Sequence, residues 1–265
     1  MKIFIFTYDR YDSITTSEYF KNNDHIILCH DEESKQKYLE HNRIYGDIIA
    51  TKEPKGLANN RNYALNMMEK GEWALFFVDD LIQINEYNYY DEADYEDIPD
   101  TIDPNKSFNK KIDSKNFIKR CETEIQKCEK DGAFLSGFAS NENGYFLKRK
   151  YKYKNHVDGR AWLVKKDVLS FDTNTQLIDD YSFTALNLFY YGKVNVNQWI
   201  IPKCKRYTEG GYGSVRKRLK QKMEECAYLV NKYPNIVHYA NKKNQEEYSH
   251  VVIRYKKLSN QMSMF

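Results

Sequence analysis

The sequence predicts an α/β protein with a layered sheet, and two observations carry that prediction. Short apolar runs rich in β-formers alternate with stretches of helical character, in the repeating order strand, helix, strand. Several of these runs stop at acidic residues, and open α/β sheets bind ligands outside the carboxyl ends of their strands. A length of 265 residues suits one such domain with additional elements. Hydrophobic residues make up 41% of the chain and charged residues 30%, which supports a full core and excludes global disorder.

Each element has a local reason. Residues 2–7 (KIFIFT) and 25–29 (HIILC) are continuous apolar runs that read as buried strands, and 47–51 (DIIAT) is a weaker third. Residues 56–69 carry small or apolar residues at Leu57, Ala58, Ala64, Leu65 and Met68, which predicts a helix ended by Gly71. The next strand is 73–78, from Trp73 to Val78. The tyrosine-rich acidic stretch 86–110 lacks periodicity and reads as an exposed insertion. A helix over 114–130 follows, then strands at 133–138, 144–147 and 161–164. The segment 181–191 reads as a helix ended by Gly192, 193–196 as a strand, and 216–232 as a helix that Pro234 stops. This places a boundary near residue 200, between an α/β domain (1–200) and a basic, helical tail (201–265).

The formal net charge is only +3, but it is segregated. Residues 86–103 hold eight acids and no base, 203–222 hold eight bases and one acid, and 148–154 hold five bases. Segregation of this kind steers a polyanion toward one face, although solvated loops and helix faces account for any single run. The five cysteines form no CxxC, and Cys121 and Cys128, two helical turns apart, make no complete zinc site, so reduced thiols are expected. No apolar run approaches the ~20 residues that span a bilayer, and the first run is too short for a signal peptide. A soluble, cytoplasmic protein is expected, in the host cytoplasm if the chain is phage-encoded.

Four acidic positions fall at strand ends: Asp9 within Thr7-Tyr8-Asp9-Arg10, Asp31, the pair Asp79-Asp80, and Asp179-Asp180 ahead of a helix. Acids gathered on one rim point to a divalent metal and a phosphorylated, hydroxyl-rich ligand, with Mg2+ or Mn2+ suited to hard oxygen donors. Any one of these aspartates also fits a turn or a helix N-cap.

The same residues carry a resemblance. FIFTYDR, HIILCHDEES, the block KGLANNRNYALNMMEKGEWALFFVDD and the later AWLVKKDVLSFDTNTQLIDDYSFTALNLFYYGKV resemble the GT-A glycosyltransferases of the large inverting family 2, over roughly residues 1–197. That resemblance implies a GT-A (Rossmann-like) fold, with a mixed, mainly parallel sheet flanked by helices. It implies that Thr7, Tyr8, Asp9 and Asp31 line the base and ribose of a nucleotide-sugar, with a UDP-sugar expected. Arg61 would reach the nucleotide or its diphosphate, Asp79 the ribose, and Asp80 a Mn2+ or Mg2+ ion. Asp180 would be the general base and Asp179 its neighbour. One departure stands out: Leu81 occupies the place where many relatives carry a further acid, so the metal rests on Asp80 alone.

The tail bears on the acceptor. Lys203, Lys205 and Arg206 precede Gly210-Gly211-Tyr212-Gly213, and SVRKRLKQK with Arg216 and Arg218 follows. A serine ahead of a basic helix makes a phosphate-gripping N-terminus, and Tyr207 and Tyr212 interleave with the bases as on surfaces that stack nucleobases. This is similar to the phage-encoded TET/JBP-associated glycosyltransferases, which implies hexosyl or pentosyl transfer to a hydroxymethylated pyrimidine in phage DNA, with Lys205, Arg206, Gly211, Tyr212, Arg216 and Arg218 contacting DNA. The alternatives are a bacterial-type glycosyltransferase acting on a cell-surface polysaccharide or lipid-linked acceptor, and a non-catalytic nucleic-acid-binding protein. His156 and Asp158 border the acceptor side, Arg160 offers a phosphate contact from what also reads as a turn (158–160), and His238 offers a late metal ligand; a structural role competes with each.

Overall fold

The computed structural model describes residues 1–11, 14–40, 44–87, 109–141, 147, 150–205, 215–240 and 248–255, with backbone alone for 109 and 215–217. The chain runs β1 (Lys2–Phe6), α1 (Thr15–Tyr19), β2 (Ile26–Cys29), α2 (Glu32–Leu39), β3 (Asp47–Ala50), α3 (Leu57–Asn66), β4 (Trp73–Val78), β5 (Leu81–Tyr87), β6 (Asn109–Ile112) and α4 (Ser114–Asp131). It continues with β7 (Leu135–Gly137), β8 (Tyr151–Lys152), β9 (Ala161–Lys165), α5 (Asp179–Tyr191), β10 (Asn195–Asn197), β11 (Ile200–Cys204), α6 (Val215–Lys232), β12 (Val237–Tyr239) and β13 (Val251–Ile253). The main sheet has eight strands in the order β3-β2-β1-β4-β9-β7-β10-β8. β3, β2, β1 and β4 are parallel, β9 runs against β4 and β7, and β8 runs against β10. The mixed, mainly parallel sheet expected from the sequence is therefore the one observed.

Strand alternation makes the layers. Phe4 and Phe6 of β1 join Leu28, Phe76 and Trp162 in one apolar cluster, while Ile3 and Ile5 join Ile27, Leu75 and Phe77 in another. Because neighbouring side chains on a strand point to opposite faces, these clusters lie on the two sides of the sheet. α3, α5 and α6 cover the first through Leu65, Phe183, Leu188 and Leu229, and α2 and α4 cover the second through Tyr38, Phe117 and Cys121. Both faces are covered, so the central strands read as unbroken apolar runs.

Two departures from expectation have local causes. α3 stops at Asn66 rather than running to Glu69. The Lys2 ammonium donates to the Met67 carbonyl at 2.7 Å, the Glu72 carboxylate accepts from Glu69 N, and Gly71, at φ 85°, donates to the Lys166 carbonyl as the chain turns into β4. The insertion expected over 86–110 is narrower among the described residues, because Glu86 and Tyr87 belong to β5 and residues from 109 onward form β6. β11, β5 and β6 make a separate three-stranded antiparallel sheet. Residues 144–146 of the strand expected at 144–147 lie outside the described residues.

The boundary expected near 200 falls on the first residue of β11. Beyond it, Cys226, Leu229, Tyr233, Ile236, Val237 and Val251 sit in the same cluster as Phe76 and Trp162. The last part of the chain also contributes the β12–β13 hairpin, so it is neither purely helical nor packed apart.

Candidate active site

Register brings the N-terminal acids together. Phe6 of β1 lies level with Leu28 of β2 and Val78 of β4, so Thr7, Cys29 and Asp79 leave the sheet side by side. Thr7 Oγ1 donates to Asp79 Oδ2 at 2.8 Å and meets the Tyr38 hydroxyl at 2.9 Å. Asp79 and Asp80 are both nearly buried. Burial pushes the Asp79 carboxyl up to about 6; Arg10 pulls it back down, and the adjacent Asp80 pushes it up again. The Asp80 carbonyl accepts from Lys205 N at 2.9 Å, which hangs the end of β11 on this corner.

Arg10 is the residue that the sequence reading passed over. Its guanidinium pairs with Asp79 Oδ1 and, at 2.8 Å, with Asp80 Oδ2. A cation thus already lies between the two carboxylates. The signal was present in the string Thr7-Tyr8-Asp9-Arg10, but only the fold shows that β1 and β4 are neighbours.

The other expected donor residues divide. Asp9 is exposed at the rim, with a left-handed φ of 50°, and accepts from the Tyr11 hydroxyl at 2.7 Å. Tyr8 packs edge-on against His30, at 4.4 Å between ring centroids. His30 is buried, and neither of its ring nitrogens has a hydrogen-bond partner among the described residues. Asp31 is the N-cap of α2: its carboxylate accepts from Ser34 N at 2.8 Å, and that bond lowers its pKa.

Arg61 does not point into the rim. It is 1% exposed, and its guanidinium pairs with Asp179, donates to the Gly159 carbonyl at 3.2 Å and lies 4.3 Å from the Trp162 ring centroid. The expected reach to a diphosphate is replaced here by a buried ion pair that anchors the start of α5. The reason is packing: α3 lies against β1, and a residue on its inward face meets Phe6, Trp162 and Phe171 before it meets solvent.

The second acid pair opens α5. Neither aspartate acts as the N-cap, which is Ile178 without a side-chain bond. Instead Glu225 of α6 accepts from the backbone of Gln176, Leu177 and Ile178 at 3.0, 2.9 and 3.2 Å. The Gln176 side chain in turn accepts from Ala58 N at 3.1 Å and lies so close to Gly56 that a Cβ there would meet it at 2.4 Å. Asp179 and Asp180 are driven apart electrostatically. Burial pushes Asp179 up to about 7 against the pull of Arg61. Burial acts on Asp180 in the same direction, but His156 and Arg61 outweigh it and hold this carboxyl below its usual range. His156 Nε2 lies 3.0 Å from Asp180 Oδ2, and its ring stacks on Tyr181 at 3.7 Å. Asp180 also accepts from Gly159 N and Tyr181 N.

One turn lies between the two acid pairs. β9 runs against β4, so the residues that precede it, Asp158 to Arg160, arrive where β4 ends, and Val78 N donates to the Arg160 carbonyl at 3.1 Å. Gly159 then touches Asp180 and Arg61. Arg160 spans Asp158, the Ser140 carbonyl and the Pro202 carbonyl, a bracing role.

Of the expected acceptor residues, Lys205 is exposed beside Asp80 and Arg218 is exposed on α6. Arg216 is placed by backbone alone, and Arg206, Gly211 and Tyr212 lie outside the described residues. His238 is committed to the β12–β13 hairpin opposite Val252. Away from both acid pairs, a cavity of about 800 Å³ opens between α1, β6 and α4, and Lys21, Lys110, Lys111, Lys119 and Arg120 line it. Its acids are engaged: Glu86 accepts from Arg120, and Asp113 caps α4.

No family model matches the sequence, and no curated protein matches it. Two solved structures are similar. One, described as a mycobacterial protein, shares 9% identity over 96% of this chain and 82% of its own, with a TM-score of 0.52. The other is glucosyl-3-phosphoglycerate synthase from Mycobacterium tuberculosis in complex with Mg2+ and uridine diphosphate, at 6% identity over 90% of this chain and 83% of its own, with a TM-score of 0.49. The likeness is one of fold.

Proposed function

We propose that this chain is a nucleotide-sugar-dependent glycosyltransferase. The observation that carries the reading is the turn 158–160, which adjoins both the end of β4, where Asp79 and Asp80 hold a cationic group, and an ionised Asp180 at the start of α5. The resemblance read from the sequence supports it. The pair Asp79–Asp80 fits a divalent ion to the extent that a guanidinium already lies between these oxygens, although no cluster of three or more ligating side chains occurs among the described residues. Asp80, with Asp79, would hold the ion, which would offset the charge developing on a departing diphosphate.

The chain's own residues do the rest. Thr7 orients Asp79 and fixes that carboxylate beside Asp80. Asp180, kept anionic by His156 and Arg61, takes the acceptor hydroxyl's proton; each carboxylate oxygen has two acceptor sites, so its present bonds leave room. Direct displacement would invert the anomeric centre.

For the acceptor we propose a hydroxymethylated pyrimidine in phage DNA. Lys205 places the basic segment 203–222 at the Asp80 corner, and the lysine-lined cavity adds positive charge on a second surface. The test is incubation of the purified chain with a panel of nucleotide-sugars and Mn2+ on hydroxymethylcytosine-DNA, hydroxymethyluracil-DNA and plain DNA, read by mass spectrometry. A sugar mass on one modified base is expected. Release of free sugar without transfer to any DNA would move the acceptor to a surface polysaccharide or lipid-linked substrate. Retention of DNA without turnover of any donor would overturn the enzyme reading.

A further inference from the structure

We propose that Arg10 is a resident counter-ion of the Asp79–Asp80 pair, which a divalent cation must displace and which then turns to the diphosphate. On this proposal the ion enters with the nucleotide rather than ahead of it. The identity of the diphosphate rests on the glycosyltransferase reading above; the displacement does not.

Three features of the site support the exchange. First, Arg10 sits where a shared ion would sit, with one guanidinium nitrogen on Asp79 Oδ1 and on Asp80 Oδ2. Two carboxylates and one guanidinium leave one net negative charge. Adding a doubly charged ion with the guanidinium in place sets like charges against the same oxygens; removing the guanidinium lets the ion and the pair neutralise each other. Second, Arg10 is free to leave by its side chain alone. Its backbone N is held by the Tyr38 hydroxyl at 3.1 Å, yet its side chain is 20% exposed and its Nε has no partner among the described residues. Arg61 is the contrast, 1% exposed and enclosed by Asp179, Gly159 and Trp162. Third, a released guanidinium would remain at the rim, and its planar fork matches a pair of phosphate oxygens. Arg10 thus takes the diphosphate contact that sequence reading gave to Arg61, and acts as a positioning residue for metal and donor together.

The test is a titration of the full chain with Mn2+, following free ion by electron paramagnetic resonance, with and without uridine diphosphate. The wild type should bind Mn2+ weakly alone and much more tightly with the nucleotide. Arg10→Gln should bind Mn2+ alone about tenfold or more tightly than the wild type, the scale on which one neighbouring charge changes a carboxylate's affinity for a cation. The same variant should lose most of the gain from the nucleotide. Arg10→Lys, which keeps the charge, should stay near the wild type, and adding Asp80→Asn to Arg10→Gln should remove the extra Mn2+ affinity. Unchanged or weaker Mn2+ binding in Arg10→Gln overturns the proposal. If that variant does not fold, equal Mn2+ affinity of the wild type with and without nucleotide overturns it as well. Sugar turnover by a chain that fails these titrations would leave the enzymatic reading intact and remove only the role of Arg10.

Discussion

Arg10 and Arg61 each pair with an aspartate but meet opposite fates, because one is reached by solvent and the other is not. Breaking a buried ion pair leaves an uncompensated charge, so Arg61→Met should cost about 3–5 kcal/mol of stability, measured by urea unfolding. A cost below about 1 kcal/mol would mean that the pair is not formed. Asp180→Asn should abolish transfer while nucleotide affinity stays within a few-fold; near-normal turnover would remove the base assignment. Asp80→Ala should abolish the Mn2+ dependence of nucleotide binding, checked by calorimetry. The acids themselves were legible in the sequence, since paired aspartates after an apolar run already mark the end of a strand. What each carboxylate touches was not legible: Asp31 turned out to cap a helix, and the partners of Asp79 and Asp179 lie 69 and 118 residues away in sequence.

Among the elements, α5 owes its starting point to contacts from outside itself. Glu225 accepts three backbone N–H groups ahead of it, and Arg61 holds its first residue. Glu225→Ala should lower kcat more than it changes donor affinity, because it moves Asp180 and leaves β1 and β4 alone; equal losses in both would count against this. α4 carries a second buried acid. Burial pushes Glu124 up to about 7, although Asn197 and the Tyr151 hydroxyl both donate to its Oε1. The folded chain therefore keeps a proton that the unfolded chain loses above its ordinary value of 4.5. Stability from this group is complete below that value and is lost as pH rises through about 7. Glu124→Gln should flatten the fall in the urea midpoint between about pH 4.5 and about pH 7, and an unchanged fall would show that Glu124 is ionised throughout. Strands β1, β2 and β4 were readable because both of their faces are covered. β5 and β11 were not, because their pairing joins residues far apart in sequence; β11 is an edge strand, where its Pro202 is tolerated.

For the whole molecule, alternating apolar runs and helical stretches were enough to predict the layered sheet, but not how the end of the chain joins it. Composition shifts near 200 reflect charge, whereas membership of the core depends on a few apolar residues in α6 and the final hairpin. A chain cut after residue 200 should fail to fold cooperatively, seen as loss of a sharp thermal transition in circular dichroism, because it removes Leu229, Tyr233 and Val237 from the core and Glu225 from α5. A cooperative transition in the shortened chain would show that the two parts are independent. The Glu225 tether has one more consequence, which concerns engineering. Exchanging residues 201–265 with those of a relative, to redirect the chain to another acceptor, also exchanges the strut beneath Asp180. Such grafts should keep the start of α5 in place only when the incoming segment brings an equivalent carboxylate, so under the proposed roles a change of acceptor segment would also disturb the alignment of Asp180.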